Sequence, residues 1–239
     1  MNLYASYSIG VFKAMKTYKL CGAAQDILYL VMVHLGYTPR GPLNFGRGLY
    51  LRNGTRFRDP ILGAAGQAAP LPLPMTLFNP KTDILLPPLD TDKNPTDKIR
   101  ETLHASTSEE HGTAFKFAVE VGVKGIQRET FEWRKLTTTG KGSRYELHRL
   151  VTDEPGPATS SCSRSLENAT DVLADLNFEN WLSINHLFHL ELKGAGLTGE
   201  MGGRWTLMVV MTALGILWQR YYGKTNKTMV SAAQKFDGT

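Results

Sequence analysis

The stretch from Trp205 to Trp218, WTLMVVMTALGILW, constrains this chain most, because it is uncharged and apolar on every face of a helix. Arg204 and Arg220 bracket fifteen residues, which at helical rise cover roughly 22 Å, whereas a bilayer core needs roughly 30 Å. The length fits a helix enclosed by its own domain, with a C-terminal membrane anchor as the alternative. Thr206, Thr212 and Gly215 are small enough for such an interior. Thr198 is the expected N-cap and Glu200 suits the positive end of the helix dipole. Arg220, Lys224 and Gly223 suit the other end.

Something must surround this helix, and the rest of the chain has the composition to do so. In 239 residues, 42% are hydrophobic and 21% charged, which excludes a disordered or fibrous chain and allows one large domain or two small ones. Cys21 and Cys162 cannot staple a domain of this size, and no Cys or His pair has zinc-ligand spacing. A reducing interior compartment is the default. Asn53, Asn168 and Asn226 open glycosylation-type tripeptides, which matter only in a secreted chain. The first 25 residues carry Lys13, Lys16 and Lys19 without an acid. They match neither a signal peptide nor a transit peptide, and the expectation is a loosely packed extension, with a polar tail at 225–239.

Between these limits the chain reads as short strands. The run ILYLVMVHL from Ile27 is β-branched and apolar, and Asn53-Gly54 between LYLR and TRFRDPIL predicts a hairpin with a two-residue type I′ turn. Pro70, Pro72 and Pro74 form a stiff connector between strand-like segments, with Met75 to Phe78 and Ile84 to Leu89 following. Asn94-Pro95 reads as the start of a short helix carrying Ile99 and Leu103 on one face. Phe115, Phe117, Val119 and Val121 alternate with polar residues, as do Phe131 and Trp133, then Tyr145 and Leu147. These three segments predict a meander with one wet face, on which Glu132 and Arg144 are within reach of each other. A Ser/Thr/Pro-rich stretch then reads as a loop. DVLADL and FHLELK follow as strands, and five glycines between Lys193 and Arg204 let the chain leave the sheet. Together these elements predict a mainly β fold over 26–224, a closed antiparallel barrel around a buried helix near 203–222.

LYLRNGTRFRDPIL, the strand Phe131-Glu132-Trp133-Arg134 and the Gly-Glu-x-Gly-x-Arg-Trp lead-in from Gly199 to Trp205 resemble the fungal branch of the tubby C-terminal-like superfamily. That superfamily also holds the phospholipid scramblases and the plant LURP-one-related proteins. The resemblance runs from about Ile27 to Tyr222 and implies a twelve-stranded barrel wrapped around a hydrophobic C-terminal helix. It also implies a membrane-associated role, since tubby proteins bind phosphoinositide headgroups through a few basic side chains. The palmitoylated cysteine cluster of the scramblases is absent here, and so is a D-x-D-x-D-G calcium loop.

Residues of catalytic type do not form a convincing set. His186 and His189 are three apart, an odd spacing that puts them on opposite faces of a strand, and the same objection holds for Glu129 with Glu132. His104, His111 and His148 fall singly on segments that read as surface, and Trp133 reads as core. The expectation is a protein that is not an enzyme and uses no cofactor or metal.

The charge is more informative. The net charge is +5, and 40–58 holds Arg40, Arg47, Arg52, Arg56 and Arg58 without an acid, while Asp153 to Glu191 holds seven acids against Arg164 alone. Arg47, Arg52, Arg56 and Arg58 flank the hairpin and are the candidate binding residues, since guanidinium forks grip phosphate. Anionic phospholipids or phosphoinositides are the expected ligand of an intracellular, cytoplasmic protein peripheral to a membrane. A soluble protein-interaction or structural module without lipid binding is the alternative. Nucleic acid is not expected, because the basic stretch lacks interleaved stacking aromatics and a helix-turn-helix.

Overall fold

A computed structural model describes residues 2–8, 17–22, 26–34, 47–66, 80–89, 98–108, 112–122, 127–137, 142–150, 172–179, 187–221 and 225–237. The strands are β1 (Asn2–Ser8), β2 (Thr17–Cys21), β3 (Ile27–His34), β4 (Gly48–Arg52), β5 (Ile61–Gly66), β6 (Lys81–Leu86), β7 (Ile99–Ser108), β8 (Gly112–Val121), β9 (Gln127–Leu136), β10 (Ser143–Leu150), β11 (Val172–Phe178) and β12 (Phe188–Leu192). Each pairs antiparallel with the next in sequence, as Phe115 opposite Trp133 and Leu147 opposite Trp133 show for the meander. β1 pairs with β2 on one side, through Ala5 opposite Leu20, and with β12 on the other, through Leu3 opposite Leu190. A one-turn helix α1 (Ala195–Thr198), a long helix α2 (Gly202–Tyr221) and a C-terminal helix α3 (Lys227–Asp237) complete the fold.

Helix α2 is the expected apolar stretch, and it is enclosed. Trp205, Met208, Val209, Met211, Ala213, Leu214 and Ile216 are all inaccessible to solvent, and the helix touches β4, β5, β6 and β8. Burial of so many apolar side chains is the main source of stability. Three hydrogen bonds serve polar groups at this interface: Trp133 Nε1 donates to Thr212 Oγ1 at 3.0 Å, Thr212 Oγ1 donates to the Val209 carbonyl at 2.9 Å, and Gln219 Nε2 donates to Thr82 Oγ1 at 2.6 Å, whereas Trp205 Nε1 and Gln219 Oε1 are buried without a partner. Among the described residues no helix is long and apolar enough to cross a membrane.

Several expectations are corrected. The first 25 residues are not a loose extension where they are described, because β1 and β2 are strands of the sheet with Leu3, Tyr18 and Leu20 buried. Their lysines masked the alternation that carries these apolar residues. Ile99 and Leu103 lie on β7 rather than a helix: each pairs with β6, Ile99 opposite Leu86 and Leu103 opposite Thr82. Asn94-Pro95 falls outside the described residues. Positions 227–237 form α3, whose Val230 is buried, where a tail was expected. Thr198 ends α1 and does not cap α2, which begins only at Gly202. Glu132 bonds Arg134 on its own strand, and Arg144 turns instead to Asp175 on β11. His148 is buried rather than on the surface.

The registers sort the strand ends into two sets. β2, β4, β6, β8, β10 and β12 finish where β3, β5, β7, β9 and β11 start. Helix α2 enters at that same end, since Gly122, just after β8, donates its amide to the Met201 carbonyl at 3.1 Å. Gly202 has φ +82°, and a Cβ there would sit 2.9 Å from the Gly122 carbonyl oxygen, so only glycine makes this entry. The helix leaves at the opposite end, where Arg220 Nη1 donates to Ser143 Oγ at 2.7 Å and the guanidinium lies 5.2 Å from the Phe178 ring centre.

Candidate anion-binding loop

The four arginines singled out by the sequence do not converge. Arg47 precedes β4 and Arg52 ends it, so about 16 Å of extended strand separates them. Arg47 therefore belongs to the helix-exit end, and Arg52, Arg56 and Arg58 to the helix-entry end. What separates them is β4 itself: residues close in sequence but at the two ends of a strand belong to opposite ends of the sheet.

The three that remain are organised by the loop joining β4 to β5. β4 and β5 do form the expected hairpin, yet the turn is longer than the Asn53-Gly54 pair alone. Asn53 donates its amide to the Pro60 carbonyl at 2.9 Å, closing residues 53–60 into one loop. Gly54 has φ +139°, outside a type I′ turn, and a Cβ there would collide with the Asp59 carboxylate. Asp59 Oδ2 accepts from the Arg56 amide at 2.7 Å, and the Asp59 amide donates to the Arg56 carbonyl at 3.1 Å. The Gly54 carbonyl accepts from the Leu30 amide at 2.9 Å, which pins the loop to β3.

Within this loop the arginines divide by role. Arg52 is half-buried: Nη1 donates to the Asp59 carbonyl at 2.9 Å and Nε lies 3.4 Å from Met32 Sδ. It positions the loop and has little left to offer a ligand. Arg56 and Arg58 are exposed on either side of Phe57, itself 59% exposed. Among the described residues neither guanidinium has an ion-pair partner. Asp59, the one acid in the loop, is engaged by backbone and does not neutralise them.

Arg204, Arg128 and Arg149 at the same end are tied down. Arg204 donates from Nε to Glu120 Oε2 at 2.7 Å and from Nη1 to the Pro87 carbonyl at 2.7 Å. Arg128 forks across Glu101 at 3.0 and 2.5 Å and reaches Glu120 at 2.6 Å. Arg149 pairs with Glu129. Burial works against ionisation of Glu120, but hydrogen bonds from Arg204 and Arg128 outweigh it and hold its carboxyl below the usual range. The hydrogen bonds that Arg128 donates to Glu101 raise its already high pKa. These groups fasten the first turn of α2 to β7, β8 and β9 and carry balanced charge, so they offer little field to an anion.

Other polar clusters lie outside this loop. Asp175 collects Arg144 at 2.5 Å and Lys193 at 3.0 Å, a paired cluster on the outside of β10 to β12. His186 and His111 lie outside the described residues, and among those described no three His, Cys, Asp or Glu side chains come together as a metal set. A cleft of about 400 Å³ lies at the helix-exit end between Thr113, Lys135, Thr225 and Lys227, away from the arginine loop. Phe57 was missed by sequence reasoning, although Arg-Phe-Arg following a turn dipeptide was the available signal. Compared with family models, with curated proteins and with solved structures, the chain matches none of them.

Proposed function

We propose that this chain is a non-enzymatic, tubby-like binding module, a closed antiparallel barrel around α2 that binds anionic phospholipid headgroups at a membrane surface through the Asn53–Pro60 loop. The pairing of β1 with both β2 and β12 supports the closed form, and the burial of α2 supports its place on the axis. The observation that carries the function is Phe57 exposed to solvent between Arg56 and Arg58 on a loop closed by hydrogen bonds from the Asn53, Arg56 and Asp59 amides and the Arg52 guanidinium.

Each element of that arrangement has a physical use at a lipid surface. Exposed guanidinium groups gain about 1 kcal/mol each near an anionic leaflet, and an aromatic side chain beside them enters the interface between headgroup and acyl chain. Thr55 to Arg58, the outer part of the loop, are all exposed, so the reading is of adsorption to a charged surface and not of one headgroup enclosed in a pocket. Such binding suits a peripheral protein on the cytoplasmic face of a membrane.

Co-sedimentation with phosphatidylcholine vesicles containing phosphoinositide at low salt tests the reading. Arg56→Ala with Arg58→Ala is expected to weaken binding by about 2 kcal/mol, and Lys135→Ala at the opposite end to change nothing. Wild-type protein that stays in the supernatant, or binding indifferent to both arginines, would remove the proposal.

A further inference from the structure

Six large apolar side chains are exposed among the described residues: Ile27, Leu28, Phe57, Leu89, Leu197 and Tyr221. Five of them share one end of the sheet. Ile27 and Leu28 begin β3, opposite the end of β2. Phe57 stands in the β4–β5 loop. Leu89 follows β6 just beyond Pro87, whose carbonyl meets Arg204 on the first turn of α2. Leu197 lies on α1, between the end of β12 and the entry of α2. Only Tyr221 sits where α2 leaves.

In strand order these positions run from β12 through β1 to β6, an arc of roughly 30 Å at the usual strand spacing. Their exposures are substantial, 40% for Leu28, 42% for Leu89 and 58% for Leu197. Side chains dispersed along an arc suit a broad, yielding surface and not a peptide that fills one groove. Within the arc the exposed cations Arg56 and Arg58 flank Phe57, while the exposed acids Asp26 and Glu200 stand near Leu28 and Leu197, so it is at the Asn53–Pro60 loop that the arc meets negative charge on a complementary surface. An anionic bilayer interface has both properties.

We propose that the protein docks end-on, with its helix-entry end against the bilayer and Leu28, Phe57, Leu89 and Leu197 entering the acyl-chain boundary together. This deepens the lipid-binding reading and rests on it. Electrostatic attraction through Arg56 and Arg58 brings the protein to the surface, and burial of the leucines and Phe57 holds it there. The two contributions separate by salt, which screens the charges over about 10 Å at 0.1 M and leaves apolar burial intact.

Flotation of the full chain with vesicles of phosphatidylcholine and phosphatidylserine, at low and at raised salt, provides the test. Leu28→Ser, Leu89→Ser and Leu197→Ser combined should partition about tenfold less well than wild type, with the gap widening as salt rises. If that variant melts below the parent, Leu197→Ser alone, on the one-turn helix, is read in the same way. Equal partition and equal salt dependence of the leucine variant and wild type would overturn end-on insertion. With wild-type binding intact and lost in Arg56→Ala with Arg58→Ala, that result leaves the lipid-binding function standing. Absence of wild-type binding to these and to phosphoinositide vesicles overturns both. A wild-type dimer in lipid-free solution that becomes monomeric on the leucine substitutions would assign the patch to a second copy and overturn the membrane orientation.

Discussion

Two regions of this molecule use the same residue types in opposite ways. Around α2, apolar side chains are sealed from water and the arginines at the entrance are paired: Arg204 with Glu120, Arg128 with Glu101 and Glu120. In the Asn53–Pro60 loop and along the arc beside it, Phe57, Leu89 and Leu197 face solvent, and Arg56 and Arg58 have no ion-pair partner among the described residues. Arg204 and Arg56 stand at the same end of the sheet, yet one fastens a helix and the other is available to an anion. The difference lies in what lies beneath each: Arg204 sits over two carboxylates on β7 and β8, whereas the one acid near Arg56 is taken by backbone. Charge becomes a binding feature only where the fold leaves it uncompensated.

That contrast can be broken most severely from the inside. Val209→Asp places a carboxylate where Val209 is fully buried on α2, a cost of several kcal/mol and comparable to total stability. No cooperative thermal transition is the expected result; an unchanged melt would mean that the helix is not enclosed. Arg204→Ala comes next. It withdraws one partner from Glu120 and opens the Pro87 carbonyl, and should lower stability by about 2 kcal/mol in a denaturant titration. Thr212→Val leaves the buried Trp133 Nε1 without its acceptor, which should cost about 1–2 kcal/mol.

Acid provides a gentler probe of the same region. Glu120 has a folded pKa held below its ordinary value, so the unfolded chain takes up the proton first as pH falls. Its contribution is complete above the unfolded value, about 4.3, and is lost as pH drops through the lower folded one. Glu120→Gln should flatten the fall in melting temperature over that window, and an unaltered acid profile would show that the Arg204 pair carries no linked stability. At the small end, Arg56→Ala with Arg58→Ala should move stability by no more than about 0.5 kcal/mol while vesicle binding drops. A large loss of stability there would erase the distinction between the two regions.

Much of the fold could be read from periodicity. Phe115 to Val121, Phe131 with Trp133, and Phe188 to Leu192 each announce a strand because alternation reports one buried face. Trp133 read as core and is core. Where charge interrupts the pattern, the reading failed. Lys19 sits inside β2, and Ile99 and Leu103, spaced four apart, fit a helix face as well as alternate positions of a strand. The candidate site was legible as a basic stretch but not as a place. A run of arginines says nothing about which of them a strand will carry to the far end, as β4 carries Arg47, or which will be spent on a backbone carbonyl, as Arg52 is.

By itself, then, the sequence favoured an enclosed Trp205 to Trp218 over a C-terminal membrane anchor, because the apolar stretch is too short for a bilayer and apolar on every face. It determined the antiparallel strands that could enclose it, since local alternation and turn residues act over a few positions. Only the tertiary structure decided which strand ends share an edge, that Leu28, Phe57, Leu89 and Leu197 gather at the end where α2 enters, and that Arg56 and Arg58 stand among them. Those are relations between residues up to 169 positions apart in a 239-residue chain, and strand pairing, not sequence proximity, brings them together.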